Sequence, residues 1–368
     1  MVNSMEKFDT NYFTKLTEML QDNNVINLAV GQPDFKPPIS ILKALEENIG
    51  TYTGYTPIQG LEELRTLIRK KLRTENGIKA EKVVVTVGAT EAIFDSMLAH
   101  LTYDSEVILF SPYYSKYIAV PCLLGVKTRT IPLKNGRPDL LELEHTITKR
   151  TKMVVVNSPS NPTGIVYSKD EIRQLVEIID KHDLILLSDE VYEKYVYDGK
   201  KHISPGKYSE RVITVNSFSK TYGFPGLRLG YLAGKEEMVA PILDVHMSNT
   251  TCSPYASQKA AIAALRRGYD FFDITSFDKR RELVMKKLDE IGIEYIYPDG
   301  AFYVYVCVGG DSFELADKLM HKKILVIPSQ LFGDENNSIR ISYATDRKTL
   351  VKGLELLIKN LSPPRYNS

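Results

Sequence analysis

Short apolar runs and amphipathic helical segments alternate along the first two thirds of the chain. Residues 169–182, KDEIRQLVEIIDKH, repeat apolar side chains at helical spacing, and residues 61–73 do the same. The apolar runs between such segments have the length of strands and lie at residues 82–87, 106–110, 126–131, 152–156, 184–188, 212–215 and 229–233. Parallel sheets are built from such runs because helices cover both of their faces. The pattern therefore predicts an α/β fold with a mostly parallel central sheet flanked by helices.

The pattern changes near residue 266. A long helix with a polar face is predicted over roughly residues 270–291, and the apolar runs EYIYP, AFYVYVCV, ILVIP and IRISYA follow it. Helices between and after these runs predict a smaller α+β domain. The first 45 residues are too few to fold alone, so we expect them to pack against it. The sequence thus predicts a large domain over residues 46–265 and a small domain formed by residues 1–45 with 266–368.

Composition and charge exclude several classes of function. Of the 368 residues, 43% are hydrophobic and 25% are charged, which is ordinary for a globular protein. The net charge of +1 leaves no basic excess to neutralise phosphates, so we expect no nucleic acid partner. Cys122, Cys252 and Cys307 form no CxxC motif and are odd in number, which indicates reduced thiols. Apolar runs stay below the roughly 18 residues of a membrane span, and the first residues lack the apolar core of a signal peptide. We therefore expect a cytoplasmic protein with no membrane partner.

The segment VTVGATEA, residues 85–92, reads as a strand, a glycine turn and a helix start. The free N–H groups of Gly88, Ala89 and Thr90, together with the helix dipole, would form an anion site suited to a phosphate. A tight turn between strand and helix, without a ligand, would explain the same residues.

Two further segments place polar residues where strands end. Asn161 lies between prolines in NSPSNPTG, residues 157–164, so its backbone is stiff, although a simple turn would also account for it. Asp189 ends the apolar run in LLSDEVY, residues 186–192. A carboxylate buried there would be costly without a cation beside it, and a helix N-cap is the alternative. In open α/β sheets such strand ends line the ligand site.

Residues 215–231, VNSFSKTYGFPGLRLGY, contain one lysine, one arginine and no acid. A lysine that is buried near another cation loses proton affinity and becomes a nucleophilic amine able to form a Schiff base. Ser217 supplies a hydroxyl, and Arg228 offers a planar fork suited to phosphate. Lys220 alone would read as a solvated loop lysine. Asn161, Asp189, Lys220 and Arg228 in this order, however, are the parts that pyridoxal phosphate requires.

With these motifs the chain resembles the fold-type I pyridoxal-phosphate enzymes, and within them the class I/II aminotransferases of the aspartate aminotransferase type. Further segments fit in order: VGQPDF at 30–35, TGYTPIQG at 53–60, SPYYSKY at 111–117 and IRISYA at 339–344. The resemblance implies that Gly31 lies beside the substrate carboxylate and that Arg340 binds it. It also implies that Tyr114 stacks on the pyridine ring, and that Tyr55 reaches the cofactor phosphate of a neighbouring subunit in a homodimer with shared active sites.

The resemblance assigns the remaining residues as well. Lys220 would form the Schiff base and move the substrate proton, and Asp189 would pair with the pyridine nitrogen. Asn161 and Tyr192 would hydrogen-bond the phenolic oxygen of the cofactor, and Asn161 would also contact the substrate. The phosphate would be held by the N–H groups at the start of the helix (Gly88, Ala89 and Thr90), by Ser217 and by Arg228. The implied catalytic residues are Lys220, Asp189 and Tyr192.

The implied reaction is a ping-pong transfer of an amino group from an L-amino acid to a 2-oxo acid, with 2-oxoglutarate as the expected acceptor. The expected donor is aspartate, an aromatic amino acid or a broad range. Thr90 stands where some relatives that act on acidic amino acids have a lysine, which weakens an aspartate-only interpretation. A C–S β-lyase or a 1-aminocyclopropane-1-carboxylate synthase would keep the same cofactor residues. A regulator with an added DNA-binding module, a dehydrogenase with a GxGxxG motif and a metal site lack their sequence signals.

Overall fold

The computed structural model describes residues 10–134, 136–335 and 337–361. Its strands are β1 Ile26–Asn27, β2 Lys82–Thr86, β3 Glu106–Ser111, β4 Lys127–Pro132, β5 Thr151–Asn157, β6 Ile185–Asp189, β7 Val212–Ser217, β8 Gly230–Gly234, β9 Tyr295–Ile296, β10 Tyr303–Cys307, β11 Ile324–Leu325, β12 Ile327–Pro328 and β13 Ser338–Ser342. Its α-helices are α1 Thr10–Met19, α2 Ile39–Glu46, α3 Glu62–Lys71, α4 Gly88–His100, α5 Ala119–Leu124, α6 Leu140–Thr146, α7 Lys169–Lys181, α8 Phe218–Thr221, α9 Glu236–Asn249, α10 Tyr255–Arg267, α11 Ile274–Asp289, α12 Ser312–His321 and α13 Arg347–Ile358.

The large sheet has seven strands in the order β2-β8-β7-β6-β5-β3-β4. Strand β8 pairs antiparallel with both β2 and β7, and the other pairings are parallel. The prediction of a mostly parallel sheet flanked by helices is therefore confirmed. Because β2, β3, β5, β6 and β7 run in one direction, their carboxyl ends share one edge of the sheet, and the antiparallel β8 begins at that same edge.

Side chains of the central strands alternate between two apolar cores, since successive residues of a strand point to opposite faces. In β5, Met153 and Val155 pack into a core with α4 and α9, whereas Val154 and Val156 pack into a core with α6 and α7. Both sets are almost completely buried. Helices thus cover both faces, and the polar ends of the strands are what remains available to a ligand.

The second sheet is antiparallel, in the order β12-β13-β10-β9, and β1 pairs in parallel with β11 beside it. Side chains of α1, β1, α11 and α13 share one apolar core with this sheet. Helix α11 begins at Ile274, later than the sequence pattern suggested, because Asp273 caps it by accepting a hydrogen bond from the N–H of Ser276.

The division into domains at residues 46 and 266 stays a prediction. Residues 26–29 pack with the second sheet, as expected for the amino-terminal segment. Helix α2, by contrast, contacts α10, and its fully buried Ile41 packs with Leu64 and Ala260 beside the large sheet. The amino-terminal segment therefore contacts both parts of the protein.

Candidate active site

A cavity of about 430 Å³ opens at the shared carboxyl edge of the large sheet, and residues of both sheets line it. Most of the predicted site residues lie in its wall: Gly31, Ala89, Thr90, Tyr114, Asn161, Asp189, Tyr192, Ser217, Lys220, Arg228 and Arg340. Gly88 lies against the Arg228 guanidinium just behind this wall. The fold thus brings together side chains that are separated by more than 300 positions in the sequence.

Lys220 projects from α8, the short helix that follows β7. Ser217 caps this helix by accepting a hydrogen bond from the N–H of Ser219 at 2.9 Å. The Lys220 Nζ atom donates to the carbonyl oxygen of Gly31 at 2.6 Å. Burial, with the positive charge of Arg340, lowers the pKa of Lys220 to about 8, although Asp189 opposes the shift. About a tenth of this amine is therefore neutral and nucleophilic at pH 7, and about half at pH 8.

Asp189 ends β6 and is buried. Its Oδ2 atom accepts a hydrogen bond from the Tyr117 hydroxyl at 2.7 Å, and its Oδ1 atom accepts one from the N–H of Val191 at 3.2 Å. Burial raises the pKa of Asp189 to about 6 despite these hydrogen bonds. A carboxylate in this position favours a cationic ligand group beside it.

Arg340, on β13, joins the two sides of the cavity. Its Nη1 atom donates to Oδ1 of Asn161 at 2.6 Å, and its Nη2 atom donates to the carbonyl oxygen of Ala29. The guanidinium lies 4.3 Å from the centre of the Tyr303 ring. Its Nε–H is buried without a hydrogen-bond partner among the described residues. A buried guanidinium with an unused donor is suited to a carboxylate.

Tyr192 and Tyr303 form a pair of buried hydroxyls on the wall beside Gly31. Their oxygens lie 2.8 Å apart, and burial raises the pKa of Tyr192 well above its ordinary value. A Cβ atom on Gly31 would come within 1.6 Å of the Tyr303 hydroxyl, so only glycine fits at this position. The Lys220 amine lies 5.8 Å from the centre of the Tyr192 ring.

The opposite end of the cavity is suited to an anion. Gly88 begins α4 with a φ of +80°, a conformation that favours glycine. A Cβ atom there would come within 2.8 Å of Nη2 of Arg228, so the exposed guanidinium lies close to the start of the helix. The N–H groups of Ala89 and Thr90, the helix dipole and Arg228 together form a positive site.

Comparison with known proteins decides the family. The model of the family "Aminotransferase class I and II" matches residues 23–357. The chain is 37% identical to the probable aspartate aminotransferase of Methanocaldococcus jannaschii, over 92% of this chain and 94% of that protein. It is 33% identical to aromatic-amino-acid aminotransferase 2 of Thermococcus litoralis, over 97% of each chain. The solved aspartate aminotransferase of Thermus thermophilus with maleate superposes with a TM-score of 0.91 at 31% identity, over 98% of this chain and 99% of that one.

The chain belongs to the class I and II aminotransferases. Membership in this family makes the protein a transferase and implies pyridoxal phosphate as its cofactor. The expected fold type and reaction class are therefore confirmed. Within the parts of the chain that the structure describes, no helix combines the length and the apolar character needed to cross a membrane.

In this aminotransferase Tyr114 and Tyr55 take very different positions. Tyr114 faces the cavity, where burial raises the pKa of its hydroxyl to about 12. Tyr55 lies outside the cavity, with 82% of its surface exposed. Within one chain the structure therefore does not bring Tyr55 to the other site residues.

Sequence reasoning missed Tyr117 and Tyr303. Tyr303 begins β10 in the run AFYVYVCV, where it looks like one more core aromatic residue. Tyr117 lies one turn after Tyr114 in a 3₁₀ segment, Ser115–Ile118, so its spacing was a usable signal that both rings face the same site. Its contact with Asp189 depends on the strand order, in which only β5 separates β3 from β6, and its own segment does not reveal this order.

Proposed function

We propose that this aminotransferase binds pyridoxal phosphate covalently through Lys220 and transfers the amino group of an L-amino acid to 2-oxoglutarate. The observation that carries the proposal is the shared cavity. In it a nucleophilic amine, a buried carboxylate, an anion site and a guanidinium with an unused donor face one another. Aspartate and aromatic amino acids are the proposed donors.

The residues fit this cofactor. The aldehyde end would meet Lys220, the ring nitrogen would meet Asp189, and the phosphate would meet the start of α4 with Arg228 and Ser217. Tyr114 is available as a ring to stack on, and Asn161 and Tyr192 face the same space. When bound, the cofactor supplies an electron sink that stabilises negative charge at the substrate α-carbon.

The chain's own groups account for binding and proton transfer. Arg340 orients the substrate α-carboxylate, because Asn161 and Ala29 hold its guanidinium in place. Lys220, as a neutral amine, would remove the α-proton of the substrate and hold it on Nζ. Asp189 is ionised above its pKa of about 6, and its negative charge would keep the ring nitrogen protonated. Tyr117 and Val191 hold this carboxylate in position.

Donor range depends on the side of the cavity formed by α1 and by the segment before α5. Phe13 and Leu16 supply apolar surface, Thr17 a hydroxyl and Lys116 a cation. A mixed wall of this kind supports both aromatic and acidic donor side chains. The relatives named above include an aspartate and an aromatic aminotransferase, which fits the same range.

We also propose a homodimer in which Tyr55 acts across the interface, because an exposed tyrosine in a Gly/Pro-containing loop can reach a neighbour's site. A cytoplasmic location is consistent with Cys122, Cys252 and Cys307, three cysteines that form no disulfide.

Borohydride reduction of the cofactor-loaded protein, followed by peptide mapping, tests the proposal. The label should appear on Lys220, and Lys220→Ala should lose turnover by several orders of magnitude. Lys207→Ala, a lysine outside the cavity wall, serves as the control and should keep both label and activity. A label on another residue would refute the assignment. A donor panel with 2-oxoglutarate, in which neither aspartate nor an aromatic amino acid reacts, would refute the substrate class.

A further inference from the structure

A buried charged cluster lies behind the phosphate end of the cavity and takes no part in the chemistry described above. Glu91 and Asp95 lie one turn apart on α4, and His246 on α9 faces both. The His246 Nδ1 atom is 3.2 Å from Oε1 of Glu91 and 3.6 Å from Oδ2 of Asp95. His246 and Asp95 are completely buried, and Glu91 is nearly so. A buried imidazole between two carboxylates calls for a structural reason.

Both nitrogens of His246 face groups that accept hydrogen bonds. Nδ1 donates to the Glu91 carboxylate, and Nε2 donates to the carbonyl oxygen of Ile58 at 3.1 Å. Only the protonated ring carries a hydrogen on both nitrogens, so this geometry requires an imidazolium. Burial opposes the charge, but the neighbouring carboxylates of Asp95 and Glu91 raise the pKa of His246 to about 9.

Glu91, the first partner of His246, also binds the turn that starts α4. Glu91 accepts a hydrogen bond from the backbone N–H of Val87 through its second carboxylate oxygen. Val87 directly precedes Gly88, which has a φ of +80° and begins α4. The His246–Glu91 contact therefore restrains the position of the N–H groups of Ala89 and Thr90.

The second partner, the Ile58 carbonyl, belongs to the loop that carries Tyr55. This loop is held on the same side of the protein by further hydrogen bonds: the Thr56 hydroxyl donates to the Ser253 carbonyl at 3.3 Å, and the Gln258 amide donates to the Thr56 hydroxyl at 3.0 Å. His246 is thus the point at which the start of α4 and the Tyr55 loop are joined to one charged group.

We propose that His246, as an imidazolium, is a positioning residue that holds the phosphate-binding start of α4 and the Tyr55 loop in register, so that affinity for the phosphate group depends on it. This inference rests on the proposed function, because it assumes that the phosphate binds at the start of α4. A role confined to general stability would affect a ligand with and without phosphate equally.

The test compares pyridoxal phosphate with pyridoxal, which lacks only the phosphate, by absorbance titration of the apoprotein. His246→Gln should weaken pyridoxal phosphate binding about tenfold or more, since weaker charge-assisted hydrogen bonds loosen the anion site, and should leave pyridoxal binding within about twofold. His100→Gln is the matched control, because His100 ends the same helix α4 and hydrogen-bonds the Met238 carbonyl of α9 at 2.8 Å. The control should change neither affinity.

Two results would overturn the inference: equal weakening of both ligands by His246→Gln, or no weakening of pyridoxal phosphate. A wild-type protein that does not prefer pyridoxal phosphate over pyridoxal would instead refute the proposed function, and the inference with it.

A pH series on the wild-type protein tests the role of His246 in phosphate affinity even if His246→Gln does not fold. The groups facing the ring are Glu91 and Asp95 from α4 and the Ile58 carbonyl from the loop. As the pH rises from 7 to 10, the ring loses its proton with a midpoint of about 9. The preference for pyridoxal phosphate over pyridoxal should fall over this range. Titration of Lys220 affects both ligands alike, and the phosphate is already a dianion above pH 7. A constant preference would contradict the inference.

Discussion

Replacing Asp189 by asparagine removes one charge from the cavity wall and leaves the size of the side chain unchanged. In the wild-type protein this carboxylate is buried, and it accepts hydrogen bonds from Tyr117 and Val191. Burial nevertheless raises its pKa to about 6 from the ordinary value of 3.8. Ionising Asp189 in the apoprotein therefore costs more free energy than ionising an aspartate in water.

A difference of about 2 pH units corresponds to about 3 kcal/mol of folding stability, at ~1.4 kcal/mol for each unit. At pH 8 a carboxylate with a pKa of about 6 is nevertheless ionised, so Asp189 would present a full negative charge to a protonated ring nitrogen. A hydrogen bond to a charged group contributes about 1.5 to 3 kcal/mol, and Asp189→Asn would remove this contribution. Asp189→Asn should therefore slow proton abstraction by roughly tenfold to a hundredfold.

The same substitution should stabilise the apoprotein. Because the folded-state pKa of Asp189 is raised, the folded protein holds this proton more tightly than the unfolded chain, and stability is lost as the pH rises from about 4 through about 6. Asparagine removes this loss of up to about 3 kcal/mol. It offers one acceptor to two donors, Tyr117 and Val191, which costs about 1 kcal/mol. The net gain at pH 8 should be about 1 to 2 kcal/mol in the free energy of unfolding.

Urea denaturation of the apoprotein and single-turnover kinetics of the loaded enzyme, both at pH 8, measure the two effects. Asp334→Asn is the matched control, because Asp334 is also buried and accepts a hydrogen bond from a tyrosine hydroxyl, that of Tyr305, at 2.7 Å. Asp334 does not line the cavity that holds Asp189, so its variant should keep the proton-transfer rate. Near-normal turnover of Asp189→Asn with cofactor bound would refute the pairing with the ring nitrogen. An apoprotein that loses stability would refute the free-energy argument.

Arg340→Lys should raise KM for the amino donor about a hundredfold or more, because lysine cannot both keep the contact with Asn161 and bind a carboxylate bidentately. Cofactor affinity measured in parallel should stay within about threefold. An unchanged KM would contradict the role of Arg340 in binding the carboxylate. The rate at which the apoprotein captures pyridoxal phosphate should rise with pH around a midpoint of about 8, because burial lowers the pKa of Lys220 and only the neutral amine reacts. A midpoint above 10 in stopped-flow absorbance would exclude a lowered pKa for this amine. Mixing Tyr55→Ala with Lys220→Ala chains should restore one active site per hybrid dimer, whereas activity no greater than the sum of the two parents would show that Tyr55 does not act across subunits.

Local sequence patterns were sufficient to predict the central strands and the edge at which ligands bind. The run LILLS, residues 184–188, ends one residue before Asp189, the last residue of β6, and VITV begins the strand that ends at Ser217, just before Lys220. A parallel sheet brings all its carboxyl strand ends to one edge, so residues that follow strands are brought together without any knowledge of side-chain packing. For this reason the order of Asn161, Asp189, Lys220 and Arg228 already indicated a cofactor site.

Contacts between distant segments were decided only by the tertiary structure. Arg340 hydrogen-bonds Asn161 across 179 positions, and Tyr117 hydrogen-bonds Asp189 across 72. In the local sequence pattern an aromatic residue such as Tyr117 looks like an ordinary core side chain. Its hydroxyl gains a role only when the strand order and the packing of the second sheet bring it to a partner. His246 shows the same principle, since its charge follows from acceptors on α4 and on the Tyr55 loop. The periodicity of apolar residues shows which side of a segment is buried. Which group lies against that buried side depends on how the whole chain packs.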